Sequence, residues 1–467
     1  MQNLFLDFLY WFNWFVLIFF VSLNLFYTFL LIVSALSIRS YNRNFIIAHD
    51  KREQPELTKP FSLLIPAYNE SAVIVASVTS FLKLDFPEYE AVVVNDGSSD
   101  STLEKLIEAF QLDKVDFDPA NHYPCNEIKE VYFSRTQPRL VVVNKVNGGK
   151  ADALNAAANC ARYPYICAVD ADSLLSVDSM RKLMQYFAAS PQTIGVGGIV
   201  RVSNGCHSKD GIITEVKMPK SILEQIQVVE YLRAFLFGRM GWSYMNILLI
   251  ISGAFGVFRQ DITAKVKGWN QKSIGEDMEL VTRLHKYVRE NGLHNSLSFA
   301  PDPVCWTQVP ADFRSLSTQR DRWQRGLTQT LMWNISMLFN PKYGRIGMVG
   351  MPYFFLYEML GCVVETIAFP VVGICFYLGI VNVTFFWLFF FVAIIWGLFL
   401  TYFSILLEEI SYSRYRTWKD LLRLFLAGFL ENFGYRQLFS FSRLKGFIKF
   451  ILRFKSSWGT IKRTDIA

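Results

Sequence analysis

Long apolar runs lie towards both ends of the chain, and between them short apolar segments alternate with amphipathic ones. Residues 11–38 contain no charged side chain, and residues 346–407 contain only Glu358 and Glu365. A run of about 20 apolar residues is long enough to cross a bilayer as a helix. The pattern therefore predicts a membrane anchor, then a globular domain, then a second group of membrane helices.

A cleavable signal peptide is the competing interpretation of the first run. The run is too long for one, no basic residue precedes it and no A-x-A site follows it. Only Asp7 precedes the run as a charged residue, whereas the basic residues that follow it are Arg39, Arg43, Lys51 and Arg52. By the positive-inside rule we expect a multi-pass plasma membrane protein with its N-terminus outside and its globular domain in the cytoplasm.

The central part predicts an α/β domain with a mostly parallel sheet. Apolar segments that end at turn residues predict strands at 61–65, 90–94, 140–143 and 165–169. Segments with helical periodicity lie between them, at 70–82, 101–110 and 151–161. Continuous apolar strands that alternate with helices are typical of sheets covered on both faces. Residues 111–139 are polar, and we expect them to form an irregular surface insertion.

Composition narrows the class of protein further. Hydrophobic residues make up 52% of the 467 residues, which is high for a soluble protein and low for an entirely membrane-embedded one. The net charge of +7 could indicate nucleic acid, but many basic residues lie beside the apolar runs. Anionic lipid explains that placement more simply, so no nucleic-acid partner is expected. The seven cysteines form no C-x-x-C pair and predict reduced thiols.

Polar residues follow the predicted strands. Asp170 and Asp172 come directly after the fourth strand, Asp96 after the second, and Ala67 and Tyr68 after the first. In parallel sheets, ligands bind off the carboxyl ends of the strands. Two close carboxylates suit Mg²⁺ or Mn²⁺ shared with a diphosphate, although a lone D-x-D is also a common surface motif. The convergence predicts a nucleotide site with a divalent metal ion.

Six motifs occur in an order that resembles the processive family 2 glycosyltransferases of the GT-A fold, such as cellulose, hyaluronan and poly-N-acetylglucosamine synthases. The motifs are Ile65-Pro-Ala-Tyr-Asn-Glu70, Val94-Asn-Asp-Gly-Ser98, Gly149-Lys150 with Asn155, Asp170-Ala-Asp172, Gly275-Glu-Asp277 and Gln319-Arg-Asp-Arg-Trp323. Each is weak alone, but the ordered set between residues 61 and 323 is specific. The fold expected is an α/β GT-A (Rossmann-like) domain with α-helical transmembrane segments.

The resemblance implies roles on the donor side of the site. The residues implied to line the pocket for the uracil or ribose of a UDP-sugar are Ala67, Tyr68, Glu70 and Asp96. Lys150 stands at a helix start, where backbone N–H groups and an ammonium can meet phosphate. Asp170 and Asp172 are implied to hold the metal ion and, through Asp170, the nucleotide. The competing interpretations are a turn-forming Asp96 and an ordinary solvated Lys150.

The resemblance also implies roles on the acceptor side. Asp277 is implied to be the general base that takes the proton of the attacking hydroxyl. The alternative is an acidic side chain that only stabilises the helix N-terminus through the helix dipole. Gln319, Arg322 and Trp323 share one helix face and are implied to bind diphosphate and a sugar ring. Their alternative is an amphipathic interfacial helix, and the two are compatible. In the resembled enzymes this motif accompanies processivity.

The C-terminal part predicts membrane or interfacial helices and a cytoplasmic tail. Trp458-Gly-Thr460 with Arg463 resembles a tail motif of hyaluronan synthases that closes over the nucleotide, which implies nucleotide-binding roles for Trp458 and Arg463. Within 421–454 we expect two short helices that turn near 432–434. The predicted division is 1–52 anchor and basic segment, 53–310 cytoplasmic GT-A domain, 311–345 interfacial helices, and 346–467 transmembrane and interfacial helices with the tail.

Together these features predict an inverting, processive glycosyltransferase that polymerises a UDP-sugar into a β-linked polysaccharide and passes it across the membrane. Its expected partners are the UDP-sugar donor, the growing polysaccharide acceptor and membrane lipid. Few spans are predicted for a pore, so a second copy or an export partner is also expected. The alternatives are a transferase that adds one sugar to a lipid carrier, and an inactive synthase-like scaffold. The sequence does not fix the donor sugar.

Overall fold

Strands and helices alternate through the middle of the chain, and helices dominate after residue 312. The computed structural model describes residues 2–49, 59–209, 211–415 and 417–454. The strands are β1 (Phe61–Ala67), β2 (Tyr89–Asn95), β3 (Leu112–Val115), β4 (Ile128–Ser134), β5 (Leu140–Lys145), β6 (Tyr165–Val169), β7 (Leu174–Leu175), β8 (Thr193–Val202), β9 (His207–Lys209), β10 (Ile212–Glu215), β11 (Phe255–Arg259) and β12 (Ser296–Thr307).

The α-helices are α1 (Gln2–His49), α2 (Ile74–Phe81), α3 (Thr102–Phe110), α4 (Lys150–Cys160), α5 (Ser179–Ala189), α6 (Ile222–Tyr231), α7 (Met240–Tyr244), α8 (Gln260–Lys265), α9 (Glu276–Glu290), α10 (Phe313–Trp333), α11 (Met351–Tyr353), α12 (Gly361–Tyr377), α13 (Val383–Phe390), α14 (Trp396–Tyr412), α15 (Trp418–Leu430) and α16 (Arg436–Ile451). The π-helical segments are Leu232–Arg239, Ile346–Gly350, Phe354–Met359, Phe391–Ile395 and Glu431–Tyr435. Short 3₁₀ turns lie at Ile335–Met337 and Pro341–Tyr343.

The main sheet has the strand order β3-β4-β5-β2-β1-β6-β11-β8-β12-β7. Its centre, β5-β2-β1-β6, is parallel, and β8 pairs with β12 in parallel as well. β11 lies antiparallel between β6 and β8, so these two strands run in the same direction. Every residue of β2 and β6 is buried, as the continuous apolar runs required. The predicted α/β fold, with a sheet that is mostly parallel at its centre, is confirmed.

Residues 111–139 are not irregular throughout, so the prediction of an irregular surface insertion was wrong. β3 and β4 pair antiparallel and extend the sheet beyond β5. The buried residue of β3 is Leu112 and that of β4 is Val131, and the rest of both strands is half-buried or exposed. Such strands at a sheet edge need little apolar surface. They therefore lack the apolar run by which the central strands are found.

Two helices in the described part of the chain are long and apolar enough to cross a membrane, Leu4–Arg39 and Val383–Tyr412. A third candidate is the pair Ile346–Met359 and Gly361–Tyr377, which bends by 43° at Leu360. The sequence predicted apolar runs at these places, but not the bend. These lengths and compositions fit a protein that is associated with a membrane.

The last helices fold back onto α10. The chain turns between α15 and α16 at Phe433 and at Gly434, which has a φ of 92° that favours glycine, close to the predicted turn. α16 then packs along α10 so closely that a Cβ atom at Gly446 would lie 2.5 Å from the carbonyl oxygen of Asp321. The helix that carries the Gln-x-x-Arg-Trp motif is thereby held by the C-terminal helices.

Ion pairs join α16 to the bent helix pair. Arg443 Nη2 lies 3.3 Å from Glu358 Oε2, and Arg436 Nη2 lies 2.8 Å from Glu365 Oε1. Ser440 also donates a hydrogen bond of 2.8 Å to Glu365. The two carboxylates within the apolar C-terminal run are therefore paired with cations of α16, which lowers the cost of burying them.

Candidate active site

Residues that the sequence singled out meet at the carboxyl edge of the parallel strands. The backbone N–H of Asp96, just after β2, donates a hydrogen bond of 2.9 Å to the carbonyl of Ala67 at the end of β1. The backbone N–H of Glu70 donates one of 2.9 Å to the hydroxyl of Thr102. Tyr68 is 52% exposed, so its ring is free to contact a ligand that enters this edge. The loops after β1 and β2 thus form one surface.

Asp96 is buried and organises the loop that follows β5. Its carboxylate accepts hydrogen bonds from Lys145 Nζ at 2.7 Å, from Asn147 Nδ2 at 3.2 Å, and from the backbone N–H groups of Gly148 at 3.0 Å and Gly149 at 2.7 Å. These contacts fix the loop immediately before α4 and therefore the position of its first residue. The structure thus shows Asp96 holding this loop, and its contact with a nucleoside stays a prediction.

Lys150, the first residue of α4, connects two of the motifs. Its Nζ lies 2.5 Å from Asp170 Oδ1, 3.5 Å from Glu276 Oε1 and 3.4 Å from the carbonyl of Gly253. Burial opposes the charge of Lys150, but the carboxylates of Asp170 and Glu276 outweigh it and raise the pKa of the lysine. Burial, and then the neighbouring Asp170 carboxylate, raise the pKa of Asp172 to about 7. The site therefore favours an added positive charge.

Asp277 is held in the first turn of α9. Its Oδ2 accepts a hydrogen bond of 3.2 Å from the backbone N–H of Gly253, and its Oδ1 accepts one of 2.8 Å from the N–H of Met278. A Cβ atom at Gly253 would lie 3.1 Å from Lys150 Nζ and 3.4 Å from Glu276 Oε1. Gly253 therefore allows the backbone to pass between the lysine and the acids and to donate to Asp277.

α10 docks directly against the loop that precedes α9. A Cβ atom at Gly326 would lie 2.9 Å from both Cα and N of Gly275, so the two backbones are in contact. Gln329 Oε1 accepts a hydrogen bond of 2.8 Å from the N–H of Ile274, and its Nε2 donates one of 3.2 Å to the carbonyl of Lys272. These contacts fix the Gln-x-x-Arg-Trp helix beside Glu276-Asp277.

The three residues of that motif have different environments. Trp323 is 43% exposed, and the guanidinium of Arg320 lies over its ring, 4.5 Å from the centroid. Oε1 of Gln319 is buried without a hydrogen-bond partner among the described residues. Burial raises the pKa of Glu276, and the charge of Arg322 acts on that carboxyl in the opposite direction. An exposed indole beside buried polar groups suits a sugar ring with hydroxyls at its edge.

Sequence reasoning missed several residues that build this site. Lys145 is fully buried and pairs with Asp152 at 2.5 Å as well as with Asp96. The sequence did contain a signal, since Lys145 ends a valine-rich strand that is expected to be buried. A buried ammonium requires carboxylate partners. Gly253 and Gly326 gave no signal, since their role depends on which atoms approach them in three dimensions.

The donor set at this edge fits a divalent cation that also binds a ligand. In the described part of the chain, no group of three or more His, Cys, Asp or Glu side chains is arranged to hold a metal ion by itself. Asp170 and Asp172 supply two hard oxygen donors, and diphosphate oxygens would have to supply others. Burial first, and then the charge of Asp170, raise the pKa of Asp172, and a bound cation would act against both. Trp458 and Arg463 lie outside the described residues.

The carboxyl edge of this parallel-centred sheet carries an aspartate pair, a lysine at one helix start and an aspartate at another. Ligands bind at this edge in open α/β sheets. The sequence pattern described as "Glycosyl transferase family 2" matches residues 62–264, and that described as "Glycosyl transferase family group 2" matches residues 165–429. The second match covers more than half of the chain, so the chain belongs to glycosyl transferase family group 2. The predicted family, and with it the prediction of a glycosyltransferase, are confirmed.

Curated relatives agree with this assignment. A poly-beta-1,6-N-acetyl-D-glucosamine synthase of Staphylococcus epidermidis is 26% identical over 63% of this chain and 60% of its own length. The synthase of the same description from Staphylococcus aureus (strain COL) is 28% identical over 58% of this chain and 55% of its own length. The chain thus spans about 60% of the length of the first of these relatives.

The structure of mannosyltransferase PcManGT from Pyrobaculum calidifontis, in complex with GDP-Man and Mn²⁺, has a TM-score of 0.52 to this chain. It is 15% identical, and the match covers 92% of this chain and 99% of that one. At this identity the likeness shows the fold alone. It agrees with the GT-A fold expected from the motifs.

Proposed function

We propose that this protein is an inverting, processive glycosyltransferase that polymerises a UDP-activated sugar into a β-linked polysaccharide. The observation that carries the proposal is the joint placement of Lys150, Asp170 and Asp277. Lys150 lies 2.5 Å from Asp170, and Gly253, which accepts from Lys150 through its carbonyl, donates its N–H to Asp277. Charges suited to a diphosphate and a carboxylate suited to a base therefore meet at one place.

In the proposed reaction Asp277 is the general base. Its carboxylate takes the proton of the acceptor hydroxyl as that oxygen bonds to the anomeric carbon of the donor and the bond from this carbon to UDP breaks. The N–H groups of Gly253 and Met278 hold the carboxylate in one orientation. The cation of Lys150 offsets charge that grows on the leaving UDP. Asp170 and Asp172 would hold Mg²⁺ or Mn²⁺, which would further offset that charge when bound.

The remaining predicted residues complete the pocket in this proposal. Those on the nucleotide side are Ala67, Tyr68, Glu70 and Asp96, and those on the sugar and diphosphate side are Gln319, Arg322 and Trp323. The contact between Gly326 and Gly275 supports this grouping, because it fixes the helix of the second set against the loop before Asp277. Trp323 offers a platform for the acceptor sugar, which suits repeated transfer to one chain.

N-acetylglucosamine is the donor sugar that the relatives favour. Both staphylococcal relatives are described as poly-beta-1,6-N-acetyl-D-glucosamine synthases. We infer UDP-N-acetylglucosamine as the first donor to test and a β-linked polymer of it as the expected product.

We further propose that the catalytic domain lies in the cytoplasm and that the polymer leaves through the membrane helices. The support is the basic segment after residue 38 and the two or three candidate spans. A second copy of the chain or an export partner would complete the path.

The test is UDP release by the purified protein in lipid nanodiscs with Mn²⁺ or Mg²⁺. A panel of UDP-sugars would be supplied, and the products would be sized. Asp277→Asn removes the base with little change in volume. Asp261→Asn is the matched control, since that aspartate pairs with Arg259 at 2.7 Å and has a side chain that is 58% exposed. We expect release with one donor, long products, an inactive Asp277→Asn and an active control.

The other outcomes separate the alternatives. Release with short, discrete products would favour single transfer to an acceptor such as a lipid carrier. No release with any UDP-sugar from a folded protein would contradict the proposal and favour the inactive scaffold. Equal activity of Asp277→Asn and the control would remove Asp277 from the role of base.

A further inference from the structure

A helix that no motif identifies runs between the candidate site and the membrane helices. It comprises α6, the π-helical segment Leu232–Arg239 and α7. Midway along it, Glu230 pairs with Arg320 at 2.5 Å, and the guanidinium of Arg320 lies over the ring of Trp323. At its end, the ring of Trp242 lies 4.7 Å from that of Tyr353 in the bent helix pair. The helix therefore links the Gln-x-x-Arg-Trp motif to the first part of that pair.

One face of this helix is a stack of three side chains. The rings of Tyr231 and Phe235 are stacked with their centroids 5.5 Å apart and their planes 26° apart. The guanidinium of Arg239 also lies over the ring of Phe235, 3.7 Å from its centroid. Phe235 is buried, so the stack holds both of its neighbours in place. π-helical turns are frequent at functional sites, because they re-aim side chains locally.

Stacking determines how Arg239 can bind other groups. A guanidinium that lies flat on a ring uses its face there and presents its N–H groups at its edge. Nη1 of Arg239 is buried, and it has no hydrogen-bond partner among the residues that the structure describes. Burial lowers the pKa of Arg239 to about 10, and the strongest opposing influence is the carboxylate of Asp277. This buried donor therefore lacks a partner, which is costly unless a ligand supplies one.

We propose that Arg239 binds the acceptor sugar: its Nη1 donates a hydrogen bond to a hydroxyl or ring oxygen of the terminal pyranose and so presents the attacking hydroxyl to Asp277. This inference rests on the proposed function, since it assigns the acceptor side of the same site. The ligand is a neutral sugar oxygen, because such an oxygen accepts from a guanidinium without adding a charge beside Asp277. The stack on Phe235 fixes the guanidinium before the acceptor arrives.

The experiment separates use of the acceptor from use of the donor. The protein in nanodiscs is given UDP-N-acetylglucosamine with a short β-1,6-linked N-acetylglucosamine oligosaccharide. Transfer to the oligosaccharide and UDP release by hydrolysis are measured separately for the wild type, Arg239→Met and Arg239→Lys. Arg259→Met is the matched control, because Arg259 ends β11 and pairs with Asp261 at the opposite edge of the sheet from the site.

We expect Arg239→Met to raise the KM for the oligosaccharide about tenfold, the loss of one charge-assisted hydrogen bond. The KM for the UDP-sugar should change much less, and transfer should fall more than hydrolysis. Arg239→Lys keeps the charge but cannot present a planar edge, so its acceptor KM should lie between those of the wild type and Arg239→Met. Arg259→Met should match the wild type.

The inference is overturned if Arg239→Met folds and keeps the acceptor KM of the wild type, or if the KM values for donor and acceptor rise together. If Arg239→Met does not fold, Arg239→Lys decides, and an unchanged acceptor KM in that variant also overturns the inference. Failure of the proposed function is a different result, in which the wild type itself releases no UDP from any donor. The two failures are therefore distinguishable in one set of measurements.

Discussion

Nζ of Lys150 lies 2.5 Å from Oδ1 of Asp170, so a cation of the chain itself neutralises one member of the aspartate pair. The same ammonium lies 3.5 Å from Glu276. It thus lies between the D-x-D motif and the Gly-Glu-Asp motif, where we propose that the diphosphate of the donor binds. This relationship leads to the first of four predictions.

Replacing Lys150 by methionine should increase the stabilising effect of Mn²⁺. Without the ammonium, the carboxylates of Asp170, Asp172 and Glu276 repel each other until a divalent cation binds. We expect Mn²⁺ to raise the Tm of Lys150→Met more than that of the wild type, as measured by thermal unfolding with Mn²⁺ and with EDTA. Donor affinity should fall about tenfold or more, because a charge-assisted contact to the diphosphate is lost.

The control for this prediction is Lys182→Met, which removes a lysine that pairs with Asp302 at 2.6 Å away from the motifs. Its Mn²⁺ response should equal that of the wild type. An equal Mn²⁺ response of Lys150→Met and the wild type would show that Lys150 does not offset the charge of the aspartate pair.

Replacing Gly326 by alanine should impair catalysis more than folding. The added Cβ atom would lie 2.9 Å from the backbone of Gly275, so α10 or the loop before α9 must shift. Overpacking of this kind costs about 1–3 kcal/mol, and a shift beside Asp277 misplaces the base. We expect UDP release to fall about tenfold or more while the protein remains folded by thermal unfolding.

Gly373→Ala is the matched control for Gly326→Ala. Gly373 also lies within a helix, but nothing lies within 4 Å of a Cβ atom built there. Alanine stabilises a helix relative to glycine, so this variant should be as stable as the wild type or more so. Normal activity of Gly326→Ala would mean that the glycine contact does not position Asp277.

Acid should destabilise the protein through His285 on α9. Its Nε2 lies 2.9 Å from the carbonyl of Leu248, and burial lowers its pKa to about 4 from the ordinary 6.5. A depressed histidine pKa gives stability that is complete above pH 6.5 and is lost as the pH falls towards 4. At pH 5 the loss is about 2 kcal/mol.

His285→Gln removes the titration and can keep an N–H donor for Leu248. Thermal unfolding between pH 7 and pH 5 should therefore show a smaller decrease in Tm for this variant than for the wild type. Parallel pH profiles for the two proteins would assign the acid sensitivity to other groups.

The ion pair between Arg436 and Glu365 should show strong coupling. Arg436→Met leaves a carboxylate that is 7% exposed with Ser440 as its remaining donor, and breaking a buried pair costs about 3–5 kcal/mol. Adding Glu365→Gln removes that charge and keeps a partner for Ser440. We expect the double variant to unfold at a higher temperature than Arg436→Met alone. If the two changes lower the Tm additively, the pair does not hold α16 to the bent helix.

The centre of the fold could be predicted from the sequence because burial on both faces leaves an unambiguous pattern. β6 was expected at residues 165–169 and occurs there, and the polar residues after the strands meet at one edge as parallel pairing requires. β3 and β4 escaped prediction because each buries a single residue and they pair at the edge of the sheet. The bend at Leu360 was not predicted, because an apolar run indicates how long a helix can be but not where its axis changes direction.

The candidate site could be predicted as a set of charged residues but not as an arrangement. Asp170, Lys150 and Asp277 each stand at an element boundary, where a sequence shows them clearly. Their mutual contacts depend on Gly253, which lies between them because it has no side chain. Arg239 lies on a helix without a recognisable motif, and only in the fold does the carboxylate of Asp277 act on its pKa.

The contacts of α10 determine which fragments of this protein can keep the complete candidate site. One side of α10 contacts Gly275 through Gly326, while Gln324 donates to the carbonyl of Met359 at 3.1 Å and accepts from Arg443 at 3.0 Å. A fragment cut before residue 313 would retain the sheet and its acids but lose the wall against which the loop before Asp277 rests. We therefore expect a fragment cut there to bind nucleotide better than it catalyses, since α10 is missing from beside the loop that precedes Asp277.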